Sequence, residues 1–204
     1  MEDTARSAPP SGTKPAKYLW GCGGLIAFFF AGGLLWLVYW LSPGHLVTML
    51  TDANPAKKRW AVDTLIGKGP DSAGATVLEA ATDPGLDPEV RRVAVFILGE
   101  MHYKAAEQRL IALMKEGDAV LAGQAAFALG RMGAVGALPE LLGAYDGAPK
   151  GIKLRILASL GELGNPDGAP LLMREGARAD DDLIRDTARQ AVMKMKEKHP
   201  ECCG

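Results

Sequence analysis

A Leu-Gly pair recurs at a fixed interval, and that interval constrains the fold more than any other feature of the chain. Leu98-Gly99, Leu129-Gly130 and Leu160-Gly161 stand 31 residues apart. A constant period of this size is the mark of a stacked array, in which each unit is one supersecondary element that cannot bury its apolar face alone. The frame extends in both directions. Asn54-Pro55-Ala56 aligns with Asp87-Pro88-Glu89, and Asp181-Asp182-Leu183 follows the last Leu-Gly pair. The column of first residues is Asn54, Asp87, Asp118, Pro149 and Asp181. All but Pro149 accept hydrogen bonds from the orphaned N–H groups at a helix start.

The spacing therefore predicts an A and a B helix per unit. These are Pro55–Lys68 with Ser72–Thr82, Pro88–Met101 with Lys104–Glu116, Ala119–Met132 with Val135–Tyr145, and Lys150–Leu163 with Asp167–Glu175. A last A helix, Asp182–Lys196, has no partner; its Arg185, Asp186, Arg189 and Lys194 make it a polar cap. His45 to Asp52 reads as the back half of a preceding B helix. The run Asp87-Pro88-Glu89-Val90-Arg91-Arg92, then Leu98-Gly99, then Ala137-Leu138-Pro139-Glu140-Leu141-Leu142 resembles the HEAT-like repeat of the phycobilin-lyase type, over roughly residues 45–198. That resemblance implies a right-handed α-α solenoid with A helices outside and B helices on the concave side. It fixes no activity, because such arrays serve many functions.

Before the array lies Tyr18 to Leu41, an uncharged run of 24 residues. As a helix it would reach about 36 Å, enough for a hydrocarbon core of about 30 Å. Tyr18 and Trp20 flank one end, and Trp36, Tyr39 and Trp40 the other, as aromatic belts do. A cleaved signal peptide fits poorly, since no small-x-small site follows. The expected organisation is all-α: a disordered tail at 1–17, a transmembrane helix at 18–41, a solenoid of about four HEAT-like repeats plus a capping helix at 42–198, and a disordered tail at 199–204. Arg6, Lys14 and Lys17 lie closer to the span than Lys57, Lys58 and Arg59 do. By the positive-inside rule this predicts a single-pass protein of a bacterial inner membrane with the solenoid extracytoplasmic. Gly23, Ala27 and Ala31, spaced by four, form a small-residue stripe suited to close helix packing in lipid. Self-association through that helix, or packing against a partner's span, is expected.

Chemistry is sparse. His45, His102 and His199 lie on distant segments, and the repeated His-Glu pairs of an iron-binding solenoid are missing. No Ser/His/Asp set and no phosphate loop has a helical or strand context that fits. His199, Cys202 and Cys203 crowd the terminus without the four-ligand spacing of structural zinc. These absences predict no cofactor, no metal and no catalysis. A net charge of −1 predicts no nucleic-acid partner, which would need a clustered basic face. Lys58, Arg91, Lys153 and Arg185 form a basic column that is expected to pair with the neighbouring repeat.

On a helical wheel the core stripe is Val90, Ala94, Ile97, Leu98 and Met101 in the second unit, and Leu121, Ala125, Ala128, Leu129 and Met132 in the third. Opposite it stand Glu89, Arg92, Phe96, Val120, Gly123 and Phe127, with Gly151, Leu154 and Ala158 in the fourth unit. The end units are polar here, at Asp63 and Gln190. Phe96, Phe127, Val120 and Leu154, with Arg92, therefore predict an apolar protein-binding patch on the convex face. Curvature that packs the two phenyl rings between A helices is the competing reading. The function expected from these features is a membrane-tethered, non-catalytic scaffold that holds a protein partner at the bilayer surface. The resemblance implies a second reading, a phycobilin-lyase-like protein acting on a protein client.

Overall fold

The computed structural model describes residues 36–202. The chain divides at Leu41 into two units, of which the first contributes only residues 36–41 to the description. Residues 36–40 are helical, and the rings of Trp36 and Trp40 lie 5.5 Å apart between centroids. The expected span Tyr18–Leu41 thus falls outside the described residues up to position 35, and so do Gly23, Ala27 and Ala31. Among the described residues no helix is long and apolar enough to cross a membrane.

Among the described residues of the second unit, from Ser42 on, the only regular secondary structure is helix. It runs α1 (Pro43–Thr48), α2 (Pro55–Lys68), α3 (Pro70–Thr82), α4 (Pro88–Glu100), α5 (Glu107–Glu116), α6 (Ala119–Met132), α7 (Leu138–Tyr145), α8 (Lys150–Leu163), α9 (Ala169–Arg178) and α10 (Asp182–Lys198). The A helices are α2, α4, α6, α8 and α10, and α3, α5, α7 and α9 are their B partners. Each A helix starts where the sequence places a cap. Asn54, Asp87, Asp118 and Asp181 accept from the N–H groups of Ala56, Glu89, Val120 and Leu183 respectively. Pro149 supplies no side-chain cap to α8.

The Leu-Gly pair has a double role. Leu98, Leu129 and Leu160 are fully buried in one continuous core that runs from Leu46 to Cys202. The glycines bring consecutive A helices together. A Cβ on Gly99 would lie 2.9 Å from Ala128 Cα, one on Gly130 2.6 Å from Ser159 Cα, and one on Gly161 2.8 Å from Ala191 Cα. These are backbone contacts, so no side-chain movement relieves them. α6 packs accordingly against both α4 and α8, and α8 against α10.

The residue after each Leu-Gly pair continues the seam. Arg131 donates from Nε and Nη2 to the Glu100 carboxylate at 2.8 and 2.7 Å. Its Nη1 lies 3.8 Å from Glu162 Oε1, and Glu162 in turn pairs with Lys194. Glu100 raises the Arg131 guanidinium pKa above its ordinary value through these hydrogen bonds.

B helices enter differently. Short 3-10 turns at Lys104–Ala106, Val135–Ala137 and Pro166–Gly168 precede α5, α7 and α9. Before each turn the backbone passes through positive φ, at His102 (52°), Gly133 (73°) and Gly164 (65°). This left-handed step closes the A helix and starts the reversal, and it favours glycine. His102 occupies this structural position and is exposed. At the C-terminus the chain turns after α10, where the Cys202 N–H donates to His199 O. Within the segment expected to be a disordered tail, Cys202 is buried and disulfide-bonded.

Candidate client-binding face

The basic column resolves into structure. Arg91 Nε donates to Ala81 O at 3.4 Å, and Arg185 Nη1 to Ala179 O at 2.8 Å. Both carbonyls lie at or just past the end of the preceding B helix. Lys153 Nζ sits 5.3 Å from the centroid of the Tyr145 ring. These cations tie one repeat to the next, as C-terminal carbonyls and aromatic faces favour.

The wheel assignment holds for the core. Val90, Ala94, Ile97, Leu98 and Met101, and Leu121, Ala125, Ala128, Leu129 and Met132, are all buried. On the opposite face Val120 is 65 % exposed and Phe96 36 %. Phe127 and Leu154 are half-buried, and Gly123 is buried. Phe127 is not inserted among the core side chains; the Arg155 guanidinium lies over its ring, 5.3 Å from the centroid. Arg92 is held by Glu89, one turn earlier on α4, through Nε at 2.8 Å and Nη2 at 2.5 Å. That pairing holds the Glu89 carboxyl below its ordinary pKa.

Arg92 and Val120 share a cavity of about 310 Å³ on this face, between α4, α6 and the start of α8. Its other walls include Gly123, Gln124, Gly151, Ile152 and Arg155. The space exists because two wall positions carry no side chain: a Cβ on Gly123 would come 3.4 Å from Arg155 Cγ, and Gly151 faces open space. The structure thus brings Arg92, Val120 and the Arg155–Phe127 pair around one opening, with Phe96 and Leu154 on the two flanking A helices. Sequence reasoning missed Gln124 and Arg155. The signal for Gln124 was present, since it is the only polar side chain between Asp118 and Arg131. Arg155 carried no such signal, because its contact depends on the register between α6 and α8.

A larger hollow of about 700 Å³ lies by α9, lined among others by Pro166, Met173, Arg174 and Cys202. Its polar wall is already committed: Arg174 bonds Asp146 at 3.0 Å and Glu175 at 2.8 Å. Among the described residues no group of three His, Cys, Asp or Glu side chains is arranged to hold a metal ion.

Residues 85–156 match the family model for HEAT repeats. The chain is also similar in structure to the complex of CpcE and CpcF of phycocyanin lyase from Nostoc sp. PCC7120. The sequences are 17 % identical, the TM-score is 0.59, and the match covers 95 % of this chain and 71 % of that one. A search of curated proteins finds no match. The expectation that this chain is not an enzyme is corrected by the structural likeness. It rested on a missing catalytic constellation, yet a solenoid of this fold belongs to a lyase complex, so the missing triad excludes nothing. At 17 % identity the likeness establishes architecture and not chemistry. The unit from Ser42 on is a HEAT-like α-solenoid, similar in fold to phycocyanin lyase subunits.

Proposed function

We propose that this chain is a lyase-related HEAT-repeat protein that binds a protein client on the A-helix face of its middle repeats. The observation that carries the reading is the patch across α4, α6 and α8. Phe96, Val120, Phe127 and Leu154 supply apolar area, and Arg92 and Arg155 border it. An exposed apolar patch rimmed by cations, with arginine over an aromatic ring, has the composition of an interaction surface. The likeness to a phycocyanin lyase complex supports a client that is itself a protein. The uncharged run at 18–41 supports a second element: tethering at a membrane, with the solenoid outside the cytoplasm and Gly23, Ala27 and Ala31 lining a helix contact within the bilayer.

The test is crosslinking recovery of the client from membranes, with the purified material scanned for visible absorption by a bound chromophore. Phe96→Glu combined with Phe127→Glu is expected to abolish recovery while helical content and melting temperature stay near those of the parent. Unfolding of the double variant, or undiminished recovery, refutes the surface. For the tether, alkaline phosphatase fused after Gly204 is expected to be active, and an inactive fusion refutes the orientation.

A further inference from the structure

We infer that the cavity between α4, α6 and α8 receives the side-chain carboxylate of an aspartate or glutamate from an extended, apolar segment of the client. The inference deepens the client-binding reading and rests on it. Three independent features converge on this one opening. Gln124 is only 7 % exposed, lines the cavity, and has no hydrogen-bond partner among the described residues. Its amide atoms are not among the fully buried unpaired ones, so they open onto the cavity, where a ligand can replace water on them. Arg155 also lines the cavity, and its guanidinium has no carboxylate partner among the described residues; it leans over Phe127 instead.

The third feature is the start of α8. Pro149 offers no cap, and Pro149 and Gly151 form part of the wall. The first N–H groups bonded at this end belong to Ile152 and Lys153, both to Pro149 O. The N–H groups of Lys150 and Gly151 have no partner among the described residues and carry the positive end of the helix dipole. The other charges at the opening are already engaged. Glu89 neutralises Arg92, and Asp118 accepts from Val120 and Leu121 at its own helix start.

An unpaired guanidinium, an unpaired amide and free backbone donors together form an acceptor-seeking set, and a carboxylate answers all three. Apolar side chains stand on both sides of the opening, Phe96 on α4 and Leu154 on α8. A chain crossing them continues past the cavity in both directions, so the acid comes from a side chain and not from a chain end.

The probe is an acetylated, amidated decapeptide with one central glutamate between leucines, titrated into the isotope-labelled full chain and followed by NMR. Saturable shifts are expected at the Gln124 side-chain amide, the Arg155 Nε–H and the Gly151 amide. The glutamine twin is expected to bind at least about tenfold more weakly, as are Arg155→Met and Gln124→Leu with the glutamate peptide. Both variants are expected to retain the parent melting temperature, and Gln124→Leu removes only an unpaired amide. Equal binding of the twin, or no saturable shift, overturns the inference. A peptide whose only acid is a free C-terminus binding more tightly overturns the side-chain source. Inorganic phosphate displacing the peptide at equal concentration reduces the site to one for an adventitious anion. Client recovery separates the two levels. If Arg155→Met and Gln124→Leu leave it intact while the phenylalanine pair abolishes it, the carboxylate site is wrong and the client surface stands. If neither set lowers recovery, the client surface itself falls.

Discussion

Gly130→Ala adds one methyl group where two backbones meet. The new Cβ would lie 2.6 Å from Ser159 Cα and 2.8 Å from Ser159 O. Bringing the first contact to the 3.4 Å of ordinary packing requires α6 and α8 to give by about 0.8 Å. A gap of that size forfeits roughly a quarter to a half of the dispersion energy of each contact it opens. The seam contains fully buried Leu129, Ile156, Leu157 and Leu160, so the loss is shared by large side chains. Overpacking of this kind costs about 1–3 kcal/mol, or somewhat more with the opened contacts, and the better helix propensity of alanine returns at most about 1 kcal/mol. The net expectation is about 1–3 kcal/mol of destabilisation, or roughly 2–12 °C in melting temperature for a domain of this size. Gly67→Ala is the control, because Gly67 is exposed near the end of α2 and its Cβ would meet nothing within 4 Å. It is expected to gain a few tenths of a kcal/mol, up to about 1. Urea unfolding followed by circular dichroism measures both. A Gly130→Ala variant as stable as the parent, or shifted upward like Gly67→Ala, would refute the close-approach account of the Leu-Gly period.

His102→Gly relieves a positive φ of 52° at the site where the next two repeats use glycine, and is expected to stabilise by about 0.5–1 kcal/mol by thermal melting. Ser159 is fully buried and its hydroxyl has no partner among the described residues, so Ser159→Ala is expected to stabilise by about 1 kcal/mol in urea unfolding; a loss of stability would show that the hydroxyl has a partner. Asp181 has its pKa lowered first by the Lys150 hydrogen bond and then by the Ile184 N–H. A depressed folded pKa contributes stability above the ordinary aspartate range that is lost as pH falls through the folded value. Asp181→Asn, which keeps the cap, should therefore lose less stability than the parent on acidification, and identical pH profiles would contradict this.

The parts of the fold readable from sequence are those set by local rules. Asp87, Asp118 and Asp181 announce helix starts because only short acceptors reach the second and third N–H groups. The core stripes follow from one periodicity applied to one helix at a time. The entry to the B helices was harder to read, since the 3-10 turns beginning at Lys104 and Val135 have no side-chain cap and only the one at Pro166 is capped, by Asn165. The seam pairing was legible in principle, with Glu100, Arg131 and Glu162 one residue past the three Leu-Gly pairs and Lys194 in the same column of the last A helix, but it becomes visible only when repeats are compared in columns. The candidate site was half legible. Phe96, Val120 and Arg92 appear on a single-helix wheel. The approach of Arg155 to Phe127, and the burial of Gln124 beside free donors of α8, require the rotation and offset of neighbouring helices.

The seam also imposes a parity rule on the length of the array. Along it the signs run acid, base, acid, base. Loss of the single repeat carrying Arg131, by recombination between equivalent positions, would set Glu100 beside Glu162, two carboxylates where a guanidinium had bridged them. Loss of two repeats would set Glu100 beside Lys194 and preserve the alternation. Each repeat is thus sterically equivalent to its neighbour but electrostatically equivalent only to the one after next. Shortened or extended versions of this solenoid are expected to tolerate changes by pairs of repeats better than changes by one.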